Sequence, residues 1–153
     1  MSFIINEFEK LARQLLRNRN EVDTAILLID SDLGFSFWLG KALDQAGYKA
    51  FPARNEADAD VLLAEIPMDL RVLILGDALA GVEDLAARWR SRCRNLRIVH
   101  LLESGSEPGA LPRGIDAELS KPSSRDEQEL LELLLALDRC MSKPRELPVR
   151  SRV

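Results

Sequence analysis

The sequence predicts an α/β fold in which a doubly wound, five-stranded parallel sheet carries helices on both faces. Short, nearly continuous apolar runs recur along the chain, and such runs are typical of strands buried on both faces. Segments with apolar residues at helical spacing alternate with these runs. Because strand and helix alternate five times, the chain has the order that a sheet of parallel strands requires.

The predicted strands are short. They lie at residues 25–29, 48–53, 70–75, 96–102 and 117–119. The first and third are almost entirely apolar, and we therefore expect them at the centre of the sheet. Right-handed crossovers place the carboxyl ends of parallel strands along one edge, so the residues that follow each strand are expected to meet there.

The first two connecting helices have capping residues. The segment 33–46 follows Asp32 or Ser31, whose side-chain oxygens can accept hydrogen bonds from the first turn of a helix. Asn55 precedes the segment 56–65 in the same way. These residues therefore mark where the two helices begin.

The later connections are less regular. A third helix is predicted over residues 82–94, and a last helix runs from Ser123 or Ser124, as its cap, to about Met141. Residues 103–114 contain three glycines and two prolines. This composition predicts a loop with at most one turn of helix.

One domain is expected over residues 24–141, with an extension at each end. Residues 1–20 form a predicted amphipathic helix, and residues 142–153 a flexible, basic tail. The apolar face of the N-terminal helix packs on its own domain or on a second protein, and a homodimer through this helix or the last helix is an open alternative. The residues of that face that could make such contacts are Ile4, Phe8, Leu11 and Leu15.

The composition excludes several classes of protein. The formal net charge of -4 argues against a dedicated nucleic-acid-binding protein. No apolar run approaches the ~20 residues of a membrane span, and no secretory signal is recognisable, so a cytoplasmic location is expected. Cys93 and Cys140 lack metal-type spacing and are interpreted as free thiols.

Arginines are concentrated around the third predicted helix. They are expected to form a solvated face, with an acidic partner or a nucleic acid as the alternative. The cluster comprises Arg88, Arg90, Arg92, Arg94 and Arg97, of which Arg88 and Arg92 are the candidate contact residues. His100 lies within a strand and is interpreted as a structural histidine, while Trp38 and Trp89 are interpreted as core residues.

Polar residues follow four of the predicted strands. Asp30 and Ser31 come after the first, Gly76 and Asp77 after the third, Glu103 after the fourth and Lys121 after the fifth. Since the carboxyl ends of parallel strands share one edge, these residues are expected to line one cleft.

At this point the chain resembles the receiver domains of bacterial two-component response regulators, over about residues 24–141. Residues 26–32 resemble the family's first strand and its acidic cluster. The run 72–75, followed by a loop that reaches Gly81, resembles its third strand and Pro-Gly turn. Residues 114–122 resemble its Gly-Ala-Asp-x-aromatic-x-x-Lys-Pro ending. The resemblance implies the flavodoxin-like receiver fold.

The resemblance also implies a chemistry, namely phosphoryl transfer to an aspartate after the third strand. In the family, two acids after the first strand hold Mg²⁺, a lysine pairs with the phosphate, and a threonine or serine after the fourth strand contacts it and moves an aromatic residue of the fifth strand. The positions that correspond here are Asp30, Ser31, Asp32, Gly76, Asp77, Glu103, Ser104, Glu118 and Lys121.

Most of these positions carry residues that cannot do the family's chemistry. Gly76 stands at the acceptor position, with Asp77 one residue late. Glu103 replaces the threonine or serine, with Ser104 one residue late, and Glu118 replaces the aromatic residue. We therefore expect Glu103 to pair with the lysine that the family uses for phosphate.

The lysine and the first acid are kept as Lys121 and Asp30, whereas Ser31 is a poorer Mg²⁺ ligand than a carboxylate. Asp30 is expected to pair with Lys121, and Asp32 to cap the following helix. A weak cation site formed by Asp30, Asp32 and Asp77 is the alternative.

The sequence therefore predicts a degenerate receiver, or pseudo-receiver, that is not an enzyme, needs no cofactor and binds a protein partner in bacterial signalling. Three alternatives stay open. The first is an atypical receiver phosphorylated on Asp77. The second is a localisation or assembly module similar to the receiver-like domains of pilus-assembly proteins. The third is nucleic-acid binding through the Arg88–Arg97 cluster. The fold prediction includes an extra N-terminal helix and a shortened or missing fourth helix.

Overall fold

The structure, a computed structural model, describes residues 25–76, 81–103 and 109–142. The predicted N-terminal helix with Ile4, Phe8, Leu11 and Leu15 lies outside the described residues, and so do Asp77, Ser104 and residues 143–153 of the predicted tail. Within the described residues, no helix has the length and apolar character needed to cross a membrane.

Five parallel strands form one sheet in the order β2-β1-β3-β4-β5. The strands are β1 (Ala25–Ile29), β2 (Lys49–Ala53), β3 (Leu70–Gly76), β4 (Arg97–Leu102) and β5 (Ala117–Ser120). The helices are α1 (Leu33–Gln45), α2 (Glu56–Glu65), α3 (Val82–Arg92) and α4 (Glu127–Ser142). The doubly wound fold class and the central position of the first and third strands are confirmed.

Alternate residues of the central strands point to opposite faces of the sheet, as the two-residue period of a strand requires. Ile26 and Leu28 of β1 join a core that includes residues of α1 and α4, whereas Leu27 and Ile29 join a second core with residues of α2 and α3. Both faces of the sheet are therefore covered, which explains why β1 has no polar residue.

Two predicted helix starts are confirmed by their caps. The Asp32 carboxylate accepts a hydrogen bond from the N–H of Phe35 at 3.1 Å, and the Asn55 side chain accepts one from the N–H of Asp58 at 2.9 Å. Each cap satisfies a donor that the first turn of a helix leaves without a partner.

The predicted cap of the last helix is wrong. α4 begins at Glu127 rather than directly after Ser123 or Ser124. The first backbone hydrogen bond of the helix runs from the N–H of Leu130 to the carbonyl of Asp126, so both serines lie before its first turn. The backbone N–H of Ser123 instead donates to the Glu129 carboxylate at 2.8 Å, and its hydroxyl also lies within hydrogen-bonding distance of that carboxylate. The chain therefore bends at residues 123–124 before it enters the helix.

α3 is two residues shorter than predicted. It ends at Arg92 because Cys93 has an extended backbone, with φ at -130°, and Asn95 has a φ of 59° in the left-handed region. Asparagine tolerates that region better than most residues with a side chain. The other element ends differ from the prediction by about one residue.

The connection between β4 and β5 is held against α3 by Arg90, a residue of that helix. Its guanidinium donates to the carbonyls of Leu96 at 2.6 Å and Gly114 at 2.7 Å, and to the Asp116 carboxylate at 2.7 Å. Residues 109–116, the described part of this connection after β4, contain no helix. Side-chain bonds to α3 therefore hold residues 109–116 in place.

Candidate functional site

The carboxyl ends of the strands bring Asp30, Gly76, Glu103 and Lys121 together, as predicted. Ile29 of β1 is in register with Leu75 of β3, so Asp30 and Gly76 are the next residues along the two strands. On the other side, the N–H of Lys121 donates to the carbonyl of Leu102 at 2.8 Å, which places the lysine beside Glu103.

A buried ion pair occupies the centre of this edge. The ammonium of Lys121 lies 2.8 Å from Oδ2 of Asp30, and the two side chains are 9% and 1% exposed. The predicted pair between these residues is confirmed. The same ammonium lies 3.5 Å from Oε2 of Glu103, whose side chain is 56% exposed, so the predicted contact with Glu103 is also present. The Lys121 ammonium also makes a cation–π contact with Phe35, whose ring centroid lies 4.6 Å away.

The surroundings keep Lys121 charged. Burial alone would lower the pKa of this lysine, but the hydrogen bond and negative charge of Asp30, helped by Glu103, raise the pKa above its ordinary value of 10.5. The ammonium is therefore fully protonated at neutral pH and is held by the chain's own carboxylates.

Asp30 fills the space that a side chain at position 76 would need. A β-carbon placed on Gly76 would overlap the carboxylate of Asp30 and would lie 3.1 Å from its β-carbon. An aspartate at position 76, the predicted acceptor position, could not stand there without displacing Asp30. The Asp30 side chain can thus take its observed direction only because position 76 has no side chain.

The residues after β1 do not fit a magnesium ion. Oδ1 of Asp30 accepts the N–H of Asp32 at 2.8 Å, while Oδ2 faces the Lys121 ammonium. Oδ1 of Asp32 caps α1, and the residue between them, Ser31, is exposed and offers no carboxylate. Among the described residues, no group of three or more His, Cys, Asp or Glu side chains could hold a metal ion. A cation would have to compete with an ammonium already in place.

Glu118, which is predicted to replace the receiver's aromatic residue, lies on β5, and its side chain is buried against β4. Its Oε2 lies 2.9 Å from Nδ1 of His100, and both side chains are 7% exposed. The two residues are direct partners in the register of the parallel strands. The structural interpretation of His100 is thus supported by this contact, which the sequence analysis did not foresee, because it depends on the register of β4 against β5.

A small pocket opens beside the ion pair, with a volume of about 260 Å³. Phe35 and Trp38 of α1 form one wall, and the guanidinium of Arg125 lies 5.4 Å from the centroid of the Trp38 ring. Trp38 is half-buried here rather than fully in the core, whereas Trp89 is completely buried. The sequence contains a sign of this wall, because Phe35 and Trp38 are three residues apart in the helix that Asp32 caps and therefore lie on one face of it.

Of the arginines around α3, Arg88, Arg92 and Arg94 are exposed, as predicted, whereas the interpretation as a solvated face is wrong for Arg90, which is largely buried in the contacts described above. The two candidate contact residues, although exposed, are each paired with an acid of α2. Arg88 lies 2.7 Å from Glu56, and Arg92 lies 2.6 Å from Asp60. The carbonyl of Cys140 accepts a hydrogen bond from Arg97. The sequence could not reveal that the acids of α2 neutralise these charges.

Both cysteines are free and half-buried, as predicted. Burial raises the pKa of the Cys93 thiol above its ordinary value. The thiol form is therefore favoured at neutral pH, and Cys93 has no sign of the low pKa that a reactive cysteine needs.

Comparisons by sequence and by structure give different results. No protein-family model matches the sequence, and the curated proteins give no match. Solved structures do match. The non-phosphorylated receiver domain of HemR from Leptospira biflexa is 25% identical, with 82% of this chain and 99% of that chain covered and a TM-score of 0.62.

Two further structures are similar at lower identity. A response regulator from Thermotoga maritima is 15% identical, with 80% of this chain and all of its own covered and a TM-score of 0.60. An orphan response regulator of H. pylori is also 15% identical, with coverages of 77% and 96% and a TM-score of 0.59. The chain thus has the fold of response-regulator receiver domains.

Proposed function

We propose that this protein is a phosphorylation-independent pseudo-receiver, a non-enzymatic module that binds a protein partner in a bacterial signalling system. The observation that carries the proposal is the buried pair between Asp30 and Lys121 beside Gly76. Asp30 and Lys121, which would hold the metal and the phosphate in a receiver, are bound to each other here. Asp30 also fills the space that an acceptor side chain at position 76 would need.

Phosphoryl transfer would meet three obstacles at this edge. Position 76 offers no nucleophile, and the carboxylate that stands nearest to it is bound to the lysine. A phosphoryl group would also have to displace Glu103, whose negative charge lies 3.5 Å from the same ammonium. Since like charges repel strongly in a partly buried site, phosphate and Glu103 could not share Lys121 without loss.

The receiver's output step also lacks its usual residues. That step needs a hydroxyl after the fourth strand and an aromatic side chain on the fifth that changes position. Here the second position is Glu118, which is buried against His100. Moving Glu118 outwards would break a buried polar contact, which is a costly change without a replacement partner. This supports a role in which a partner protein binds the domain in a single conformation.

The similarity to receiver domains supports the setting of the proposal. The HemR receiver and the other matching chains are parts of response regulators, which are signalling proteins rather than enzymes. A cytoplasmic location and a protein partner would suit a protein of that class. We propose them for this chain together with the loss of phosphorylation.

The experiment that tests the proposal is incubation with acetyl phosphate and Mg²⁺, followed by intact-mass measurement. A phosphorylatable receiver domain in the same reaction serves as the positive control. We expect the mass of this chain to stay unchanged while the control gains one phosphoryl group. A gain that disappears in Asp77→Asn would overturn the proposal and would assign the chain to the atypical receivers that use Asp77.

A further inference from the structure

The two faces of the sheet differ in what lies between their helices. On one face, ion pairs bridge α2 and α3, because Glu56 lies 2.7 Å from Arg88 and Asp60 lies 2.6 Å from Arg92. Glu56 also accepts a hydrogen bond from the indole N–H of Trp89 at 3.1 Å. The space between these two helices is therefore bridged by charged side chains.

On the other face, α4 directs apolar side chains towards α1. Residues three and four apart share one side of a helix, so Leu131, Leu135 and Asp138 lie together on α4. Asp138 accepts a hydrogen bond at 2.7 Å from the hydroxyl of Tyr48, which follows α1 in the chain. This side of α4 is therefore the one that faces α1. Leu131 and Leu135 pack against the core there, but both are only half-buried.

Trp38 borders the same space from α1. Gly40, on the opposite side of that helix, faces β2, since a β-carbon placed on it would lie 3.9 Å from the β-carbon of Ala50. On the side towards α4, the guanidinium of Arg125 lies 5.4 Å from the centroid of the Trp38 ring. The half-buried apolar surface between the two helices is named the α1–α4 groove, and its residues are Trp38, Leu131 and Leu135.

A segment of the same chain, outside the described residues, has a sequence that fits this groove. It carries Ile4, Phe8, Leu11 and Leu15 at spacings of four, three and four residues. In the helix predicted over residues 1–20, this spacing forms one narrow apolar stripe, a pattern typical of helices that pack on other helices. At about 1.5 Å per residue the stripe is ~16 Å long, and the 13 residues of α1 span ~20 Å.

The connection to β1 sets the direction of the segment. β1 begins at Ala25, and the chain between residue 20 and Ala25 can span no more than about 17 Å. The end of the predicted helix is therefore held near the amino edge of the sheet. In the groove, the helix would run parallel to α1 and α4, which both start at the carboxyl edge and end at the amino edge.

Charged residues near the two ends of the segment match this direction. Glu7 would lie towards the carboxyl edge, where Arg125 is exposed beside the groove. Arg19 would lie towards the amino edge, where Asp44 is exposed in the last turn of α1. Opposite charges would thus meet at both ends, whereas the reverse direction would bring like charges together.

We propose that the α1–α4 groove binds residues 1–20 of the same chain as a helix, with Leu11 against Trp38 and Leu15 against Leu135. A segment joined by so few residues has a high effective concentration at the groove, which favours this contact over the same contact with a second copy. Docking against α2 and α3 instead would place apolar side chains over their two ion pairs. A partner protein that needs the groove would first have to displace residues 1–20.

The first test is a disulfide cross-link in the full chain, after Cys93→Ser and Cys140→Ser have removed the native thiols. Leu15→Cys with Leu135→Cys should form a disulfide within one chain under oxidised glutathione, seen as the loss of two hydrogen atoms in the intact mass. The matched control combines Leu15→Cys with Val61→Cys, at a position of α2 that is 55% exposed. The control should stay reduced, because a disulfide needs α-carbons within about 7 Å of each other.

Two outcomes of the cross-link would overturn the proposal. One is equal disulfide formation in both variants, or none with Leu135→Cys. The other is a disulfide that joins two chains, seen as a covalent dimer on a non-reducing gel. That result would assign the groove to the segment of a second copy.

The second test uses the fluorescence of Trp38. Trp89 is completely buried, so quenching of the chain by acrylamide reports on Trp38. Leu11→Asp should raise the quenching constant at least about two-fold, because a charge is not buried in an apolar contact without a partner. Asn6→Asp adds the same charge on the opposite side of the predicted helix and should leave the quenching constant unchanged. Equal quenching in the wild type and in Leu11→Asp would contradict the proposal.

The variants should remain folded, since both cores of the domain are built from residues 25–142. Far-UV circular dichroism checks this. The inference does not rest on the proposed function, and the two fail separately. Phosphorylation by acetyl phosphate would overturn the pseudo-receiver role and leave the cross-link unaffected, and an absent cross-link would leave the phosphorylation result as it stands.

Discussion

Lys121 and Asp30 form an ion pair with a 2.8 Å separation between ammonium and carboxylate, enclosed at the carboxyl ends of the strands. We expect Lys121→Met to destabilise the fold by about 3–5 kcal/mol, because it leaves the buried Asp30 carboxylate without a cation. Urea denaturation gives the free energy of unfolding. Lys41→Met, at an exposed position of α1, serves as the control.

The same pair offers an internal check. In the double variant Asp30→Asn/Lys121→Met no charge remains to be buried, so most of the lost stability should return. A loss below about 1 kcal/mol in the single variant would indicate that water reaches Asp30 and that the pair is not enclosed.

The contribution of this pair should depend on pH in one direction. The folded-state pKa of Lys121 is raised above its ordinary 10.5 by Asp30 and Glu103 against the effect of burial. A raised pKa means that the stabilisation is complete below pH 10.5 and is lost as the pH rises through the folded value.

We therefore expect the difference in unfolding free energy between wild type and Lys121→Met to stay constant from neutral pH upwards. It should shrink only above pH 10.5, the ordinary pKa of lysine. Taking the difference removes the titration of other groups. If the difference already falls near neutral pH, Lys121 is not held in its charged form by the two carboxylates.

Restoring an aspartate at position 76 should not restore a receiver. Gly76→Asp places a side chain into the volume of the Asp30 carboxylate and adds a second acid there. We expect a loss of about 1–3 kcal/mol in the free energy of unfolding from the overlap alone. Asp30→Ala in the same chain removes the overlapping group and should recover part of the loss, which thermal unfolding of the two variants would reveal.

Asp32 distinguishes a helix cap from a metal ligand. We expect Asp32→Ala to cost about 1 kcal/mol, the usual value for a lost cap of this kind. Addition of Mg²⁺ should leave the melting temperature of the wild type unchanged, since a ligand stabilises only a fold that binds it. A rise in melting temperature with Mg²⁺ that is absent in Asp32→Ala would show a cation site instead.

Arg90 should matter far more than its neighbour Arg88. Arg90→Met removes hydrogen bonds to two backbone carbonyls and to Asp116, and we expect a loss of about 2–4 kcal/mol. Arg88→Met breaks an exposed pair with Glu56, and its effect should be much smaller. Hydrogen exchange of residues 109–116 gives a second measurement, because their protection should fall in the first variant only.

Sequence reasoning succeeded where the physics is local or follows from the topology. Asp32 and Asn55 were recognised as caps because a cap depends on residues within one turn. Asp30 and Lys121 could be paired because parallel strands end at one edge. The overlap of Asp30 with position 76 needed the actual direction of a side chain, which no spacing in the sequence specifies.

The contacts that sequence reasoning missed join residues far apart in the chain. His100 with Glu118 depends on the register of two strands, and Arg90 with Gly114 on the path of the connection between them. The wrong cap at Ser123 has a related cause, because Glu129, six residues later, binds the N–H of Ser123 from within a helix that begins only at Glu127. In each case the hydrogen-bond partner of a residue is one that only the folded chain brings close to it.

The fastening of residues 109–116 by Arg90 has a consequence for control in the cell. A switch needs two forms of similar energy, and a ligand or a modification then changes their proportions. A largely buried guanidinium that bonds both Leu96, before β4, and residues 114–116, before β5, makes one of those forms costly. Under the proposed function, the number of molecules present, set by synthesis and degradation, would determine how much partner is engaged.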